Sequence, residues 1–241
     1  MSRKTAICAL LIFVFCPAVR AGVCDFVVTQ EFALKQKPHG VNGKLQLSMD
    51  ARLTGPARDK MWGHGDWSFA LKPEMELYKD FSAFPPCNAK LQIKDDKDKL
   101  VFDRFLNRQL AKLEELDAVG NSTFLLTVDY STGFGSYAGL ETSLLQVAGA
   151  GLRDLDALDV STQQREPIRL AKSLKSGWTI SKVSNGLEVL SLWCRPTPNG
   201  ATFNLMFTRY SFDGNQWLAH KRQEKGFWES DQPFPPRSAF P

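Results

Sequence analysis

Histidine is scarce in this sequence: among 241 residues there are three, His39, His64 and His220. Neither an H-E-x-x-H motif nor a paired C-x-x-C spacing is present, so a zinc site would need distant ligands to converge. Neither a metal nor a cofactor is expected. A basic stripe is missing too. The 30 Lys and Arg outnumber the 26 Asp and Glu by four, and the sequence pI is 8.8. Three of those cations, Arg3, Lys4 and Arg20, lie in the first 21 residues, which contain no acid. Without them the excess falls from +4 to +1, too little to hold a phosphate backbone, and nucleic acid is excluded as a partner. No segment after the N-terminus approaches the ~18 apolar residues of a membrane-spanning helix. Repeats with a period of roughly 20–50 residues are absent, which removes solenoids and propellers. An apolar content of 43% with well-mixed charge removes disordered, collagen-like and coiled-coil chains.

What is present gives an address. Arg3 and Lys4 precede an apolar run from Ala6 to Phe15, Pro17 breaks it, and Val19 and Ala21 are small enough for cleavage before Gly22. Residues 1–21 therefore read as a signal peptide and residues 22–241 as a single exported domain, periplasmic or secreted. A lipidated Cys24 is disfavoured because Val23 precedes it where a small residue is needed. Of five cysteines, Cys8 and Cys16 leave with the signal, so Cys24, Cys87 and Cys194 remain. In an oxidising compartment three residues make one disulfide and one thiol, with three pairings open. Cys24 and Cys194 sit in strand-like apolar settings and Cys87 follows Pro85-Pro86 in a loop; the pairing expected is Cys24–Cys87, with Cys194 buried.

Alternation marks strands at Phe26–Leu34, at Leu45 to Leu53, at Trp67 to Leu71, near Leu91–Ile93 and at Thr123–Tyr130. The run Lys94 to Lys99 reads as a solvated turn. Helical spacing of Leu106, Leu110, Leu113 and Leu116 after Asp103 predicts a helix. A second is predicted from Leu140 through Leu144, Val147, Leu155 and Leu158, and a third from Pro167 to Gly177. A helical block over 103–176 is thus expected, followed by a three-stranded meander over 187–222 whose second turn is Asp213-Gly214-Asn215. Phe203, Leu205 and Phe207 share one parity and Tyr210 and Phe212 the other, which requires a bulge near Thr208 or burial of both faces. The Pro- and Phe-rich tail over 233–241 is expected to dock back over that sheet. The predicted class is α+β: a mixed or antiparallel sheet around a central helical block.

Four constellations carry candidate chemistry. The loop Gly133-Phe134-Gly135-Ser136-Tyr137-Ala138-Gly139 follows a strand, and backbone amides at such a turn can hold an anion. Its spacing is neither the dinucleotide fingerprint nor a P-loop, and Ser136 lacks the G-x-S-x-G setting of a nucleophile elbow. His64 and Asp66, between Trp62 and Trp67, offer an acid–base pair in an aromatic turn. Asp129 and Glu141 flank the Gly-rich loop and could converge on a glycan. Last, Trp217 and Trp228 with Tyr210 and Phe227 make the C-terminal sheet rich in aromatics suited to a sugar or a protein partner. The expected function is that of an exported, non-enzymatic binding protein of immunity or inhibitor type, which meets an envelope protein or glycan through that sheet. The rival is an envelope-polymer hydrolase using Asp129 or Glu141, or His64 with Asp66.

Overall fold

Leu45, Leu47, Met49, Leu91 and Ile93 are fully buried, while the residues between them turn to the other face, and this period of two sets the first sheet. It consists of β1 (Phe26–Leu34), β2 (Gly43–Asp50), β3 (Lys90–Asp95) and β4 (Leu100–Phe105), antiparallel in that order. The structure, a computed structural model, describes residues 24–34, 43–55, 62, 87–116, 123–129, 136–149, 151–183 and 186–241. The charged run does turn the chain between β3 and β4: Asp95 Oδ1 accepts the N–H groups of Lys97 and Lys99 at 2.9 and 2.8 Å. Cys24 and Cys87, just ahead of β1 and β3, form the expected disulfide with Cα atoms 5.9 Å apart, and Cys194 is a buried thiol. The Arg52 guanidinium, with the Cys87 N–H, holds the Asp50 carboxyl down at about 2.

The second sheet has eleven strands: β5 (Ala111–Leu116), β6 (Thr123–Asp129), β7 (Gly139–Ala148), β8 (Gly151–Asp154), β9 (Asp156–Asp159), β10 (Arg165–Pro167), β11 (Arg169–Ser173), β12 (Ser176–Val183), β13 (Gly186–Pro196), β14 (Phe203–Phe212) and β15 (Trp217–Lys225). Hydrogen-bonded neighbours run β10-β9-β15-β14-β13-β12-β11-β7-β6-β5, with β8 on β7, and only β15–β9 is parallel. β10 begins this path and β11 is seventh along it, yet Ile168 alone joins them. The intervening strands therefore curl round until the two meet. At that corner Ile168 N–H bonds the Leu155 carbonyl (3.1 Å) and Leu155 N–H bonds the Leu144 carbonyl (2.8 Å). Elsewhere β10 and β11 share no ladder among the described residues, so the roll is closed at one corner and open beyond it.

Three clusters follow. Sheet one packs on β5, β6 and β7 through Leu47, Met49, Phe124, Leu126 and Leu145. Gln30 ties the two sheet edges together, its amide donating to the Leu113 carbonyl (2.9 Å) and accepting the Leu113 N–H (2.8 Å). Inside the roll Leu155, Ala157, Ile168, Leu170, Leu187, Val189, Tyr210 and Trp217 pack together, and since they come from around the roll they define its inner face. The outer face of β13 and β14 is covered by the tail: Leu190, Leu192 and Phe207 meet Trp228, Phe234 and Phe240. A Cβ on Gly177 would come within 3.0 Å of the Trp228 ring, so glycine admits that cover.

No helix of seven or more residues occurs among the described residues; the protein is nearly all β, not α+β, and the helical block is absent. Leu106 and Leu110 lie in the connection that crosses from β4 in the first sheet to β5 in the second, while Leu113 lies in β5, so their helical spacing is that of a crossover and a strand packed onto one core. β7 is buried on both faces, with Leu144 in the roll and Leu145 and Val147 under sheet one, which erases the period of two. Pro167 ends edge strand β10, where a missing N–H costs no ladder bond, and Lys175 sits in a two-residue turn between Ser173 and Ser176. The C-terminal meander is as expected. Its ladders run without a register shift, so the parity change after Phe207 reflects a sheet buried on both faces. The strand expected near Trp67 lies outside the described residues.

Two expectations follow. The disulfide spans a sequence separation of 63, and loop entropy sets its contribution at about 4 kcal/mol; reduction is expected to lower stability by about 2–4 kcal/mol in urea unfolding. Buried Glu188 takes Arg237 (2.8 Å) and Arg209 (2.9 Å), clamping the tail. The Arg237 hydrogen bonds, then Arg209, hold its carboxyl below the usual range against the opposing effect of burial. Its stabilisation is thus present above pH ~4.5 and lost as pH falls through the lowered folded value. Glu188→Gln is expected to cost about 2 kcal/mol at pH 7 and to flatten the acid limb of stability against pH.

Candidate functional site

Register places the inner side chains of β12 to β15 in rows. Lowest lie Leu187, Phe212 and Trp217; above them Ile180, Val189, Tyr210 and Ala219; then Trp178, Ser191, Thr208 and Lys221; then Ser176, Trp193, Met206 and Gln223; and last Arg195, Asn204 and Lys225. Along β13 and β15 exposure rises in that direction, whereas on β12 Ile180 and Trp178 are half-buried and Ser176 is buried. Val189 and Ser191 are buried, Trp193 is half-buried and Arg195 is exposed; Ala219 is buried, Lys221 half-buried and Lys225 exposed. The roll thus has an apolar floor and a polar, aromatic open end.

Among the described residues three polar atoms on this face are buried without a hydrogen-bond partner: Trp178 Nε1, Ser191 Oγ and, on the floor, Trp217 Nε1. Ser191 is 1% exposed and Trp217 2%. Trp178 and Ser191 stand directly opposite each other on neighbouring strands. An indole N–H can only donate, so the two tryptophans lack an acceptor, whereas the Ser191 hydroxyl can take either a donor or an acceptor. Lys172 Nζ lies 4.7 Å from the Trp178 ring centroid, and the Arg195 guanidinium 4.9 Å from that of Trp193.

One side of the row is closed by charge. Asp159 Oδ1 accepts Ser161 Oγ (2.6 Å), Ser161 N–H (2.8 Å) and Thr162 N–H (3.1 Å), which builds the turn from β9 to β10. Its other oxygen meets Lys221 at 3.1 Å, and Lys221 also pairs with Glu166. The Ser161 hydroxyl, with Lys221 and the backbone donors, holds the Asp159 carboxyl far below the usual range against burial. Burial opposes the charge on Lys221, but Glu166 and Asp159 outweigh it and raise the ammonium above its ordinary value. Burial pushes the Tyr210 phenol up, helped by Glu166 and Asp159. Asp159 therefore stays ionised and Lys221 protonated near neutrality, and neither is poised to exchange a proton.

The residues singled out in the sequence fall in different places. Trp217 and Tyr210 belong to the interior of the roll, whereas Trp228 lies under the tail, its Nε1 donating to the Pro233 carbonyl at 3.2 Å. Phe227, 48% exposed, stacks on Lys175 Nζ at 3.5 Å. These four aromatics are not brought together on one exposed face. Asp129 pairs with Leu140 and Glu141 with Val128, so the two acids point to opposite faces of the sheet. The Ser136 carbonyl accepts the Lys175 N–H at 3.1 Å, a structural bond. His64, Asp66, Gly133 and Gly135 lie outside the described residues. Missed altogether were Trp178, Ser191, Trp193, Arg195, Lys221 and Lys225. For Ser191, Trp193 and Arg195 the signal was the odd-numbered series Leu187, Val189, Ser191, Trp193, Arg195, graded from apolar to charged.

No family model matches the chain, and no solved structure does. A curated protein it is similar to is the extracellular serine/threonine protein kinase FAM20C of Homo sapiens, 30% identical over 134 residues. That match covers 52% of this chain and 22% of the kinase, so the chain spans about a fifth of its relative's length. This sequence holds neither the H-R-D nor the D-F-G triplet of protein kinases, and no residue takes a role from the likeness.

Lys221 holds two carboxylates apart. Lys221→Gln leaves Asp159 and Glu166 without their shared cation and is expected to cost about 1–3 kcal/mol at pH 7, read by urea unfolding.

Proposed function

We propose that the protein is an exported binding protein that receives its ligand at the open end of the rolled sheet. One observation carries this reading: Trp178 Nε1 and Ser191 Oγ, opposite each other on the inner face, are both buried with no hydrogen-bond partner among the described residues. Leaving a polar group buried and unpaired costs about 1–3 kcal/mol, a cost that a bound acceptor removes. The rising exposure from Val189 to Arg195 supplies access. Export is supported by the N-terminal signal pattern and by the disulfide, a bond of oxidising compartments. Among the described residues no helix is long and apolar enough to cross a membrane.

If Ser191 serves a ligand and not the fold, Ser191→Ala removes an unpaired hydroxyl. The unliganded variant is then expected to be as stable as the wild type, or more stable by up to about 1 kcal/mol, in urea unfolding. A loss above about 1 kcal/mol would assign the hydroxyl an internal partner and remove the basis of this reading.

A further inference from the structure

We propose that the ligand of this open end is an acidic oligosaccharide, its sugar rings stacked on Trp178 and Trp193 and its acid groups held by Lys172, Arg195 and Lys225. The inference rests on the binding reading above and names the class of ligand.

Two indoles on one face come first. Ser176 pairs with Trp193 and Trp178 with Ser191, so the tryptophans are diagonal neighbours on β12 and β13, roughly 7–8 Å apart at Cα. Both side chains are half-buried, with surface to offer. The hydrogen-bonding character comes second. Trp178 Nε1 donates and Ser191 Oγ does either, whereas a sugar presents hydroxyl and ring oxygens at every residue.

Charge selects among sugars. Lys172 and Arg195 lie over the two tryptophan rings, so any group stacked there meets a cation. Lys225 stands in one row with Arg195 across Asn204. None of these three cations has an acidic partner among the described residues. The acids of the site, Asp159 and Glu166, are already engaged by Lys221. Positive charge is therefore available where the rings lie. A fatty acid fits less well, because below Ser191 the roll is filled by Tyr210, Phe212, Trp217 and Leu187.

The test titrates the purified protein, by tryptophan fluorescence, with hexagalacturonate, its fully methyl-esterified form, a heparin hexasaccharide and dodecanoate. The methyl ester keeps the rings and removes the charge. Saturable binding of an acidic hexamer, at least about tenfold tighter than the ester, is expected. Arg195→Gln and Lys225→Gln should each weaken it by about threefold to tenfold, and Trp193→Ala by tenfold or more. These positions are exposed or half-exposed, and unchanged circular dichroism confirms that the variants fold. Equal affinity for acid and ester overturns the charge assignment, and preference for dodecanoate overturns the sugar. No binding of either acidic hexamer overturns the class of ligand. Failure of the underlying reading is recognised separately, by a destabilised Ser191→Ala protein.

Discussion

An eleven-stranded sheet with apolar residues on both faces must find cover for both, and the whole molecule follows from that requirement. At the β5–β7 end a second, four-stranded sheet supplies the cover, stapled by Gln30 and by the disulfide that anchors its first and third strands. Along β9 to β15 no second layer lies over the inner face among the described residues; the sheet rolls upon itself and makes Val189, Tyr210 and Trp217 their own cover. The outer side of the same strands is then covered by the tail.

Rolling has a chemical consequence. A sheet that closes at one corner and splays elsewhere has a buried end and an open one, and its inner side chains must grade between the two. Here the grading runs from leucine and valine through serine and tryptophan to arginine and lysine. Polar atoms at the boundary are cut off from water before they reach a protein partner, which places Ser191 and Trp178 where a ligand can complete them. The carboxylates at this boundary have different duties. Asp159 builds a turn, and Glu188, on the opposite face, clamps the tail. Both are held ionised by their donors.

Much of the fold was legible in short-range pattern. β1 to β3, the charged turn at Asp95, the Asp213-Gly214 hairpin and the docking tail all follow from alternation and turn chemistry. The error at residues 103–176 has one cause. Strands buried on both faces lose their alternation, and four leucines spaced over an inter-sheet connection and the strand after it imitate a helix. The candidate site was obscured differently: aromatic residues were grouped by nearness along the chain, which put Trp217 and Trp228 together although they lie on opposite faces. Trp178 and Trp193, fifteen positions apart, are neighbours only because β12 and β13 pair.

By itself the sequence determined the disulfide arithmetic, the near-neutral charge of residues 22–241 and the strands whose alternation one solvent-facing side preserves. These are properties of composition and of local geometry, which need no partner to be read. Only the tertiary structure decided that the sheet rolls, that Ile168 is its corner, and that two tryptophans, a serine and three cations share one open end. Those are consequences of which strand pairs with which. Pairing between distant strands is set by the burial of both faces together, a condition that no single segment expresses.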